Sequence, residues 1–340
     1  MTDDIVEDGH GYTKDELASM STSTFGRSPI PILPRMQIAL LSGGVGGARM
    51  ARSLRAAGAS VTVVVNVGDD EEILGLDISP DLDTVMYTLA GVEGAPGWGV
   101  DGDSTRVMDA LERLGGDTRF TLGDQDLGTH LARTSWRRAG IPLSEVTRRL
   151  CTAHGLTVPV LPATDGRLRT QVQTDDGWLS FQEYFVYRRH ADPVRGLRFV
   201  GAEATTPAPG VIEALDDADV ILFGPSNPPL SIWPILAVPG ISDSVADHRR
   251  VVAVSPLFGG KALKGPADKV LTGLGLPPGN EGVVAAYEGL LSDLVVDTGD
   301  AHDRHDLAGP DLRVHVADTH IADPARAKEF GQWLLELLSN

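Results

Sequence analysis

The chain of 340 residues is 42% hydrophobic, enough to bury one large core or two modest ones. Its 29 Lys and Arg against 47 Asp and Glu leave a net charge of −18. That balance disfavours nucleic acid and anionic membrane surfaces as partners, but leaves small anionic ligands open through a local cluster of amides, Arg or a metal. A single cysteine, Cys151, excludes a disulfide scaffold and a cysteine-rich zinc site, and no run approaches the roughly 18 apolar residues of a membrane span.

Residues 1–35 are polar, rich in Ser and Thr, and end in PIPILPR. They read as a flexible N-terminal extension outside the fold. Their acidic start, MTDDIVEDGHGYTKDE, has no apolar stretch of the signal-peptide kind, so a cytoplasmic protein is expected. From Met36 a short apolar run is followed by SGGVGGARMARSLRAAG, a glycine turn opening an amphipathic helix, and then by the β-branched VTVVVNV at 61–67. Strand, glycine turn, helix, buried strand is a βαβ unit of a parallel sheet.

Helical patterns follow at about 83–91, 104–114, 125–139 and 144–154. Residues 167–190 show two strand-like runs separated by DDG, a hairpin signal. Alternation resumes with strands in 218–226 and 249–257, helices from about 266 and near 281–290, the runs LVVDTGD and LRVHVADT, and a helix at 323–338. The pattern predicts an α/β fold, with a doubly wound, mostly parallel Rossmann-like sheet and an inserted helical-plus-hairpin subdomain. Residues 36–340 form its single domain, the core drawn from about 36–100 and 200–340 and the insertion from about 101–199.

The candidate chemistry lies at strand ends, where open α/β sheets bind ligands. Gly43, Gly44, Gly46 and Gly47 let backbone amides approach a phosphate at a helix N-terminus; a tight βα turn without a ligand is the alternative. This is neither a P-loop nor the dinucleotide fingerprint. Arg49 stands at the third glycine position counted from Gly44, and Asn66 stands where an acid usually holds the ribose, which weakens a nicotinamide oxidoreductase reading. NVGDDEE at 66–72 places Asp69 beside the glycine turn as a candidate Mg²⁺ ligand, because a carboxylate next to a phosphate needs a cation between them. Asp81 and Asp83 fall just before a helix, as caps or as site residues.

GDQDLGTHLAR brings Gln125, Asp126, His130 and Arg133 to the start of another helix, with His130 either structural or an acid, base or donor to phosphate. Ser226 and Asn227 follow a buried strand, and Lys261 and Lys264 sit in a glycine loop suited to neutralising phosphate. DAHDRHD at 300–306 reads as an exposed loop, Cys151 as packing rather than a nucleophile, and Trp178, Phe181, Tyr184, Phe185 and Tyr187 as mostly core or hairpin packing.

In this order SGGVGGAR, NVGDD, SPDLDTVMYTL, GDQDLGTH with GPSNP, and SPLFGGKALKGPA resemble the 2-phospho-L-lactate transferase/phosphoenolpyruvate transferase family of coenzyme F420 biosynthesis, from about Met36 to near the C-terminus. The hairpin segment FQEYFVYRRH resembles the family as well. The resemblance implies Mg²⁺-dependent transfer of a phosphorylated three-carbon acid from a guanosine diphosphate-linked donor to the deazaflavin Fo, with GMP released. Here the expected donor is enolpyruvyl-diphospho-guanosine and the product dehydro coenzyme F420-0; phospholactyl transfer, or a non-enzymatic nucleotide-sugar-binding regulator, is the alternative. It also implies a homodimer that receives its donor from a guanylyltransferase.

By the same resemblance the diphosphate falls on Gly43, Gly44, Gly46 and Gly47, with Asp69 at the metal; Asn66, Ser226, Asn227, Lys261 and Lys264, at neighbouring strand ends, are read as further contacts to the nucleotide and diphosphate. Asp83, Gln125, Asp126, His130 and Arg133 fall on the deazaflavin side, and either Asp69 or Asp83 is the carboxylate that orients or deprotonates its hydroxyl. Gln125 replaces the arginine of the family's Gly-Asp-Arg-Asp and loses a fixed charge, which puts that contact in doubt or shifts it to Arg133 or Arg106.

Overall fold

In the computed structural model, which describes residues 35–95 and 97–339, seven parallel strands form the central sheet. They are β1 (Gln37–Ser42), β2 (Ser60–Val65), β5 (Val160–Pro162), β9 (Val220–Phe223), β10 (Val251–Val254), β13 (Asp293–Asp297) and β14 (Arg313–Ala317), in the order β14-β13-β10-β9-β1-β2-β5. The runs are β-branched and apolar because both faces are covered: every residue of β9, β10 and β13 is buried. The predicted N-terminal extension lies outside the described residues apart from Arg35, and Met36 onward forms one compact unit.

Helices flank the sheet. The long pair α1 (Gly44–Ala57) and α12 (Pro324–Ser339) pack on each other. Gly331 permits their approach, since a Cβ there would lie 2.6 Å from the Ser53 carbonyl oxygen. A small hairpin, β3 (Glu71–Ile73) with β4 (Leu76–Ile78), leads into α2 (Pro80–Ala90), whose Pro80 suits the first helical position.

The middle of the chain supplies α3 (Arg106–Arg113), α4 (Asp124–Arg138) and α5 (Leu143–Ala153), and then a three-stranded antiparallel sheet ordered β7-β6-β8. Its strands are β6 (Arg169–Thr174), β7 (Gly177–Ser180) and β8 (Gly196–Val200). Two expectations change here. Residues 101–199 also contribute β5, the edge strand on β2, so this stretch is joined to the sheet it was read as inserted into. The run after the DDG turn is a strand only to Ser180; Glu183–Tyr187 winds into a wide helical turn that buries Tyr184 and stacks Phe181 on Phe185, with centroids 5.2 Å apart. Aromatic residues with strand propensity become helical there because tertiary packing overrides a local preference.

The C-terminal half adds α6 (Val211–Asp216), α7 (Trp233–Leu236), α8 (Ile241–Asp247), the two-residue pair β11 (Leu257–Phe258) and β12 (Lys261–Ala262), α9 (Ala267–Gly273) and α10 (Gly279–Ala286). One-turn α11 (Asp303–Asp306) replaces the exposed loop expected at 300–306, and Asp300 before it is buried. Cys151 is buried in α5; burial, with the Asp83 charge second, pushes its thiol up to about 12, which keeps it an inert packing group.

Candidate active site at the switch point

After β1 the chain turns towards β2, and β9 returns on the other side of β1, so the order reverses between β1 and β9. That crevice is where a doubly wound sheet binds its ligand. The glycine turn after β1 and Gly224–Asn227 after β9 line it. Ser226 Oγ receives the Gly43 amide at 3.2 Å and donates to the Gly43 carbonyl at 2.7 Å. The glycines serve different ends. Gly44 adopts a left-handed φ of +63°, whereas Gly46 and Gly47 permit close packing: a Cβ would lie 2.1 Å from the Pro225 carbonyl oxygen at Gly46 and 2.2 Å from Ser42 Oγ at Gly47. Their α-carbons therefore face protein.

Asp81 joins this turn to the acidic one. Its Oδ1 accepts the Gly44 amide at 2.6 Å and its Oδ2 accepts Asn66 Nδ2 at 3.0 Å; Asn66 Nδ2 also lies 3.4 Å from Asp69 Oδ1. Asp81 and Asp83 thus lie inside the first turn of α2 rather than before it, and Asp81 caps the neighbouring helix. Asn66 Oδ1 receives the Gly68 amide at 2.7 Å, so Asn66 organises the turn. The loop is held from behind by Thr170, whose amide donates to the Gly68 carbonyl, and by Gln182 Nε2, which donates to the Asp69 carbonyl, both at 2.7 Å.

Asp69, Asp70 and Asp81 are all at most 7% exposed. Burial, then the neighbouring Asp81 and Asp70 charges, pushes Asp69 well above the usual carboxylate range; burial raises Asp70 to about 7 and Asp81 to about 6. Asn66 Nδ2 lies between the two carboxylates, and Asp81 is the foremost neighbouring charge that raises Asp69. Two buried carboxylates in contact at a helix N-terminus form a donor set for a hard divalent cation.

A second polar group lies alongside. Arg133 forms a close ion pair with Asp83 Oδ1, and both are buried. Arg133 Nη1 lies 3.1 Å from His130 Nδ1; because guanidinium only donates, Nδ1 accepts, which places the proton of a neutral ring on Nε2. That nitrogen lies 3.1 Å from Asp126 Oδ2, obliquely to the hydrogen-bond direction. The Tyr87 hydroxyl lies 2.8 Å from Asp126 Oδ1 and 2.7 Å from Thr129 Oγ1. Against the burial that raises it, His130 and Tyr87 hold the Asp126 carboxyl below its ordinary value. Among the described residues Asp83 Oδ2 has no hydrogen-bond partner. Asp83, Asp126 and His130 offer ligand atoms within 4.8 Å of one another.

The glycines, Asn66, Asp69, Ser226 and Asn227 therefore share one rim, although Asn227 spends its side chain on the Leu230 amide. Asp83, Asp126, His130 and Arg133 meet as a second cluster. Arg133 is a correction: 1% exposed and paired with Asp83, it positions a carboxylate and is unavailable as a replacement surface cation for the deazaflavin. Gln125 is exposed, and its amide is held by Asp103, which caps α4. Lys261 and Lys264 are exposed rather than enclosed; Lys264 Nζ lies 5.7 Å from the Trp98 ring, in the loop whose Gly97 abuts Val45. The two arginines of RLRT, Arg167 and Arg169, line a pocket against the acidic turn and were missed in the sequence. The available signal was their spacing of two residues at the entry to β6, which suits side chains on one face of an extended segment.

The fold and site thus define a doubly wound α/β protein with an acid-and-amide crevice at its switch point. Residues 38–322 match the 2-phospho-L-lactate transferase CofD family, and the chain belongs to it. A phosphoenolpyruvate transferase of Streptomyces coelicolor is 46% identical over 276 residues, covering 78% of this chain and 86% of the relative. One from Streptomyces griseus is 41% identical, with 89% and 98% covered, and a 2-phospho-L-lactate transferase of Methanopyrus kandleri is 39% identical, with 89% and 98% covered. A crystal structure of a UPF0052-family protein from Bacillus halodurans has a TM-score of 0.60 at 17% identity, covering 88% of this chain and 100% of that one; at that distance the likeness concerns the fold. No helix among the described residues is long and apolar enough to cross a membrane.

Proposed function

We propose that the chain transfers the phosphoenolpyruvyl group from enolpyruvyl-diphospho-5'-guanosine to the terminal ribityl hydroxyl of Fo, releasing GMP and giving dehydro coenzyme F420-0. Family membership and the Streptomyces relatives named phosphoenolpyruvate transferase support this reading. The observation that carries it is the bonded set Gly44–Asp81–Asn66–Asp69, which joins an amide-lined turn to buried carboxylates.

The donor set fits Mg²⁺, which Asp69 and Asp81 would hold; such an ion neutralises diphosphate charge and stabilises the departing phosphate. The protein's own part is largely positioning. Amides of the first turn of α1 bind the diphosphate, the Gly43 and Gly44 amides already being held by Ser226 and Asp81. Asp83 Oδ2, whose partner oxygen is fixed by Arg133, accepts a hydrogen bond from the acceptor hydroxyl. The hydroxyl oxygen forms a bond to the phosphorus bearing the enolpyruvyl group as the bond from that phosphorus to the GMP oxygen breaks, and the hydroxyl proton passes to a carboxylate. In this reading the enzyme is cytoplasmic and homodimeric, and takes its donor from a guanylyltransferase.

The Methanopyrus relative favours phospholactyl transfer as the second reading. Mass spectrometry of products formed from Fo, GTP, Mg²⁺, a donor-forming guanylyltransferase and either phosphoenolpyruvate or 2-phospholactate decides between them. Mass gain with phosphoenolpyruvate is expected. Gain only with 2-phospholactate transfers the assignment to that acid, and gain with neither removes the transferase reading.

A further inference from the structure

We propose that the pocket between the acidic turn and the β6–β7–β8 sheet is a carboxylate subsite that grips the acid group of the transferred three-carbon unit, with Arg169 as its principal cation. This rests on the proposed function and deepens it.

The pocket encloses about 230 Å³, small for a tricyclic deazaflavin and ample for a carboxylate with its neighbouring carbons. Its walls carry Gly68 and Asp70 from the turn, Arg167, Arg169 and Thr170 from the β6 segment, and Phe181. Among the described residues, three buried polar atoms of these side chains have no hydrogen-bond partner: Arg169 Nε, Thr170 Oγ1 and Asp70 Oδ1. Arg169 is fixed at one end, its Nη1 donating to the Leu168 carbonyl at 2.7 Å, so its fork is preorganised. Thr170 is 1% exposed, and its hydroxyl lies against Gly68, where a Cβ would come within 2.5 Å of Oγ1. Leaving the Arg169 guanidinium short of a partner is costly, and a ligand carboxylate satisfies it.

Two carboxylates, Asp70 and Glu71, share the pocket with the two arginines, and Ser79 Oγ donates to one Asp70 oxygen at 2.9 Å, so the Arg169 fork is the donor left for a ligand. Gly68 and Asp70, on either side of Asp69 in the turn, line the same pocket as Arg169, which places the cation beside the residue assigned to the metal. Phosphoenolpyruvate and 2-phospholactate, the acids in the relatives' names, both carry the carboxylate on the carbon that bears the phosphate ester. Phosphorus seated at the acid pair therefore puts a carboxylate one carbon away from the ester oxygen. GDP has no such group.

The test compares Arg169→Met, Arg169→Lys and Arg167→Met with the wild-type full chain, measuring donor KM against the inhibition constant of GDP. Arg169→Met should raise donor KM at least about tenfold, Arg169→Lys less, because charge is kept and the fork lost, and exposed Arg167→Met severalfold. GDP inhibition should stay within about twofold of wild type throughout. An unchanged donor KM in Arg169→Met, or donor and GDP constants moving together, overturns the subsite. If the wild type transfers neither acid to Fo, the proposed function falls and the subsite is judged alone by calorimetric titration with phosphoenolpyruvate. Binding to wild type but not to Arg169→Met or Arg167→Met then supports it; no binding to wild type, or equal binding to all, overturns it.

Discussion

Asp81 Oδ1 accepts the amide of Gly44 across 2.6 Å, so the first turn of α2 caps the first turn of α1, 37 residues away in sequence. The same carboxylate receives Asn66 and faces Asp69. One side chain thereby fixes both the amide turn and the acid pair, and the substitutions below probe what that arrangement costs.

Asp69→Asn removes a buried charge beside Asp81 and Asp70, so the metal-free protein should become more stable, with Tm at pH 8 in chelator rising by a few degrees. Turnover should fall by at least about a hundredfold. Scanning calorimetry with a fixed-time product assay checks both. Near-wild-type turnover at saturating Mg²⁺ removes Asp69 from the reaction.

Asp70 and Asp81 are raised to about 7 and about 6, so between pH ~4 and ~7 the folded state binds more protons than the unfolded one. Their contribution is fully present below the unfolded value near 4 and is lost as pH rises through 6 and 7. Comparing denaturant midpoints of wild type and Asp70→Asn at pH 5 and pH 8 in chelator isolates the effect: the variant should gain relative to wild type at pH 8. Equal differences at the two pH values refute it.

Gly46→Ala should destabilise by about 1–3 kcal/mol, because the new methyl meets the Pro225 carbonyl oxygen. It should also weaken GDP binding by displacing the loop after β9. Gly128→Ala is the control: in α4, with nothing within 4 Å of its Cβ position, it should stabilise by about 0.5–1 kcal/mol. Urea titrations read both. A neutral Gly46→Ala would show that the two loops move apart freely.

Arg133→Met strands the buried Asp83 carboxylate and should cost about 3–5 kcal/mol. Adding Asp83→Asn should recover at least about 1 kcal/mol of that loss, because it removes the stranded charge. Additive losses in the double-mutant cycle would mean that the pair is energetically uncoupled.

The sheet was legible because its strands are continuous apolar runs ending in glycine turns, and the acidic turn could be placed by its position after β2. Long-range partners were not legible. Nothing local marks Asp81 as the cap of another helix, or Arg133, in mid-helix, as the counter-ion of Asp83 fifty residues earlier. The turn at Glu183–Tyr187 eluded a propensity reading because the burial of Tyr184 decides it. Arg169 reads in the sequence as one residue of a hairpin strand, because only the fold sets it against the acidic turn.

The acidic turn is tethered by the hairpin region: the Thr170 amide holds Gly68 and Gln182 holds the Asp69 carbonyl. A chimera that exchanges this region between relatives therefore also exchanges the two bonds that hold the acidic turn in place. Grafts that carry residues equivalent to Thr170 and Gln182 should keep the acidic turn in shape, and grafts that omit either should loosen it whatever else they bring.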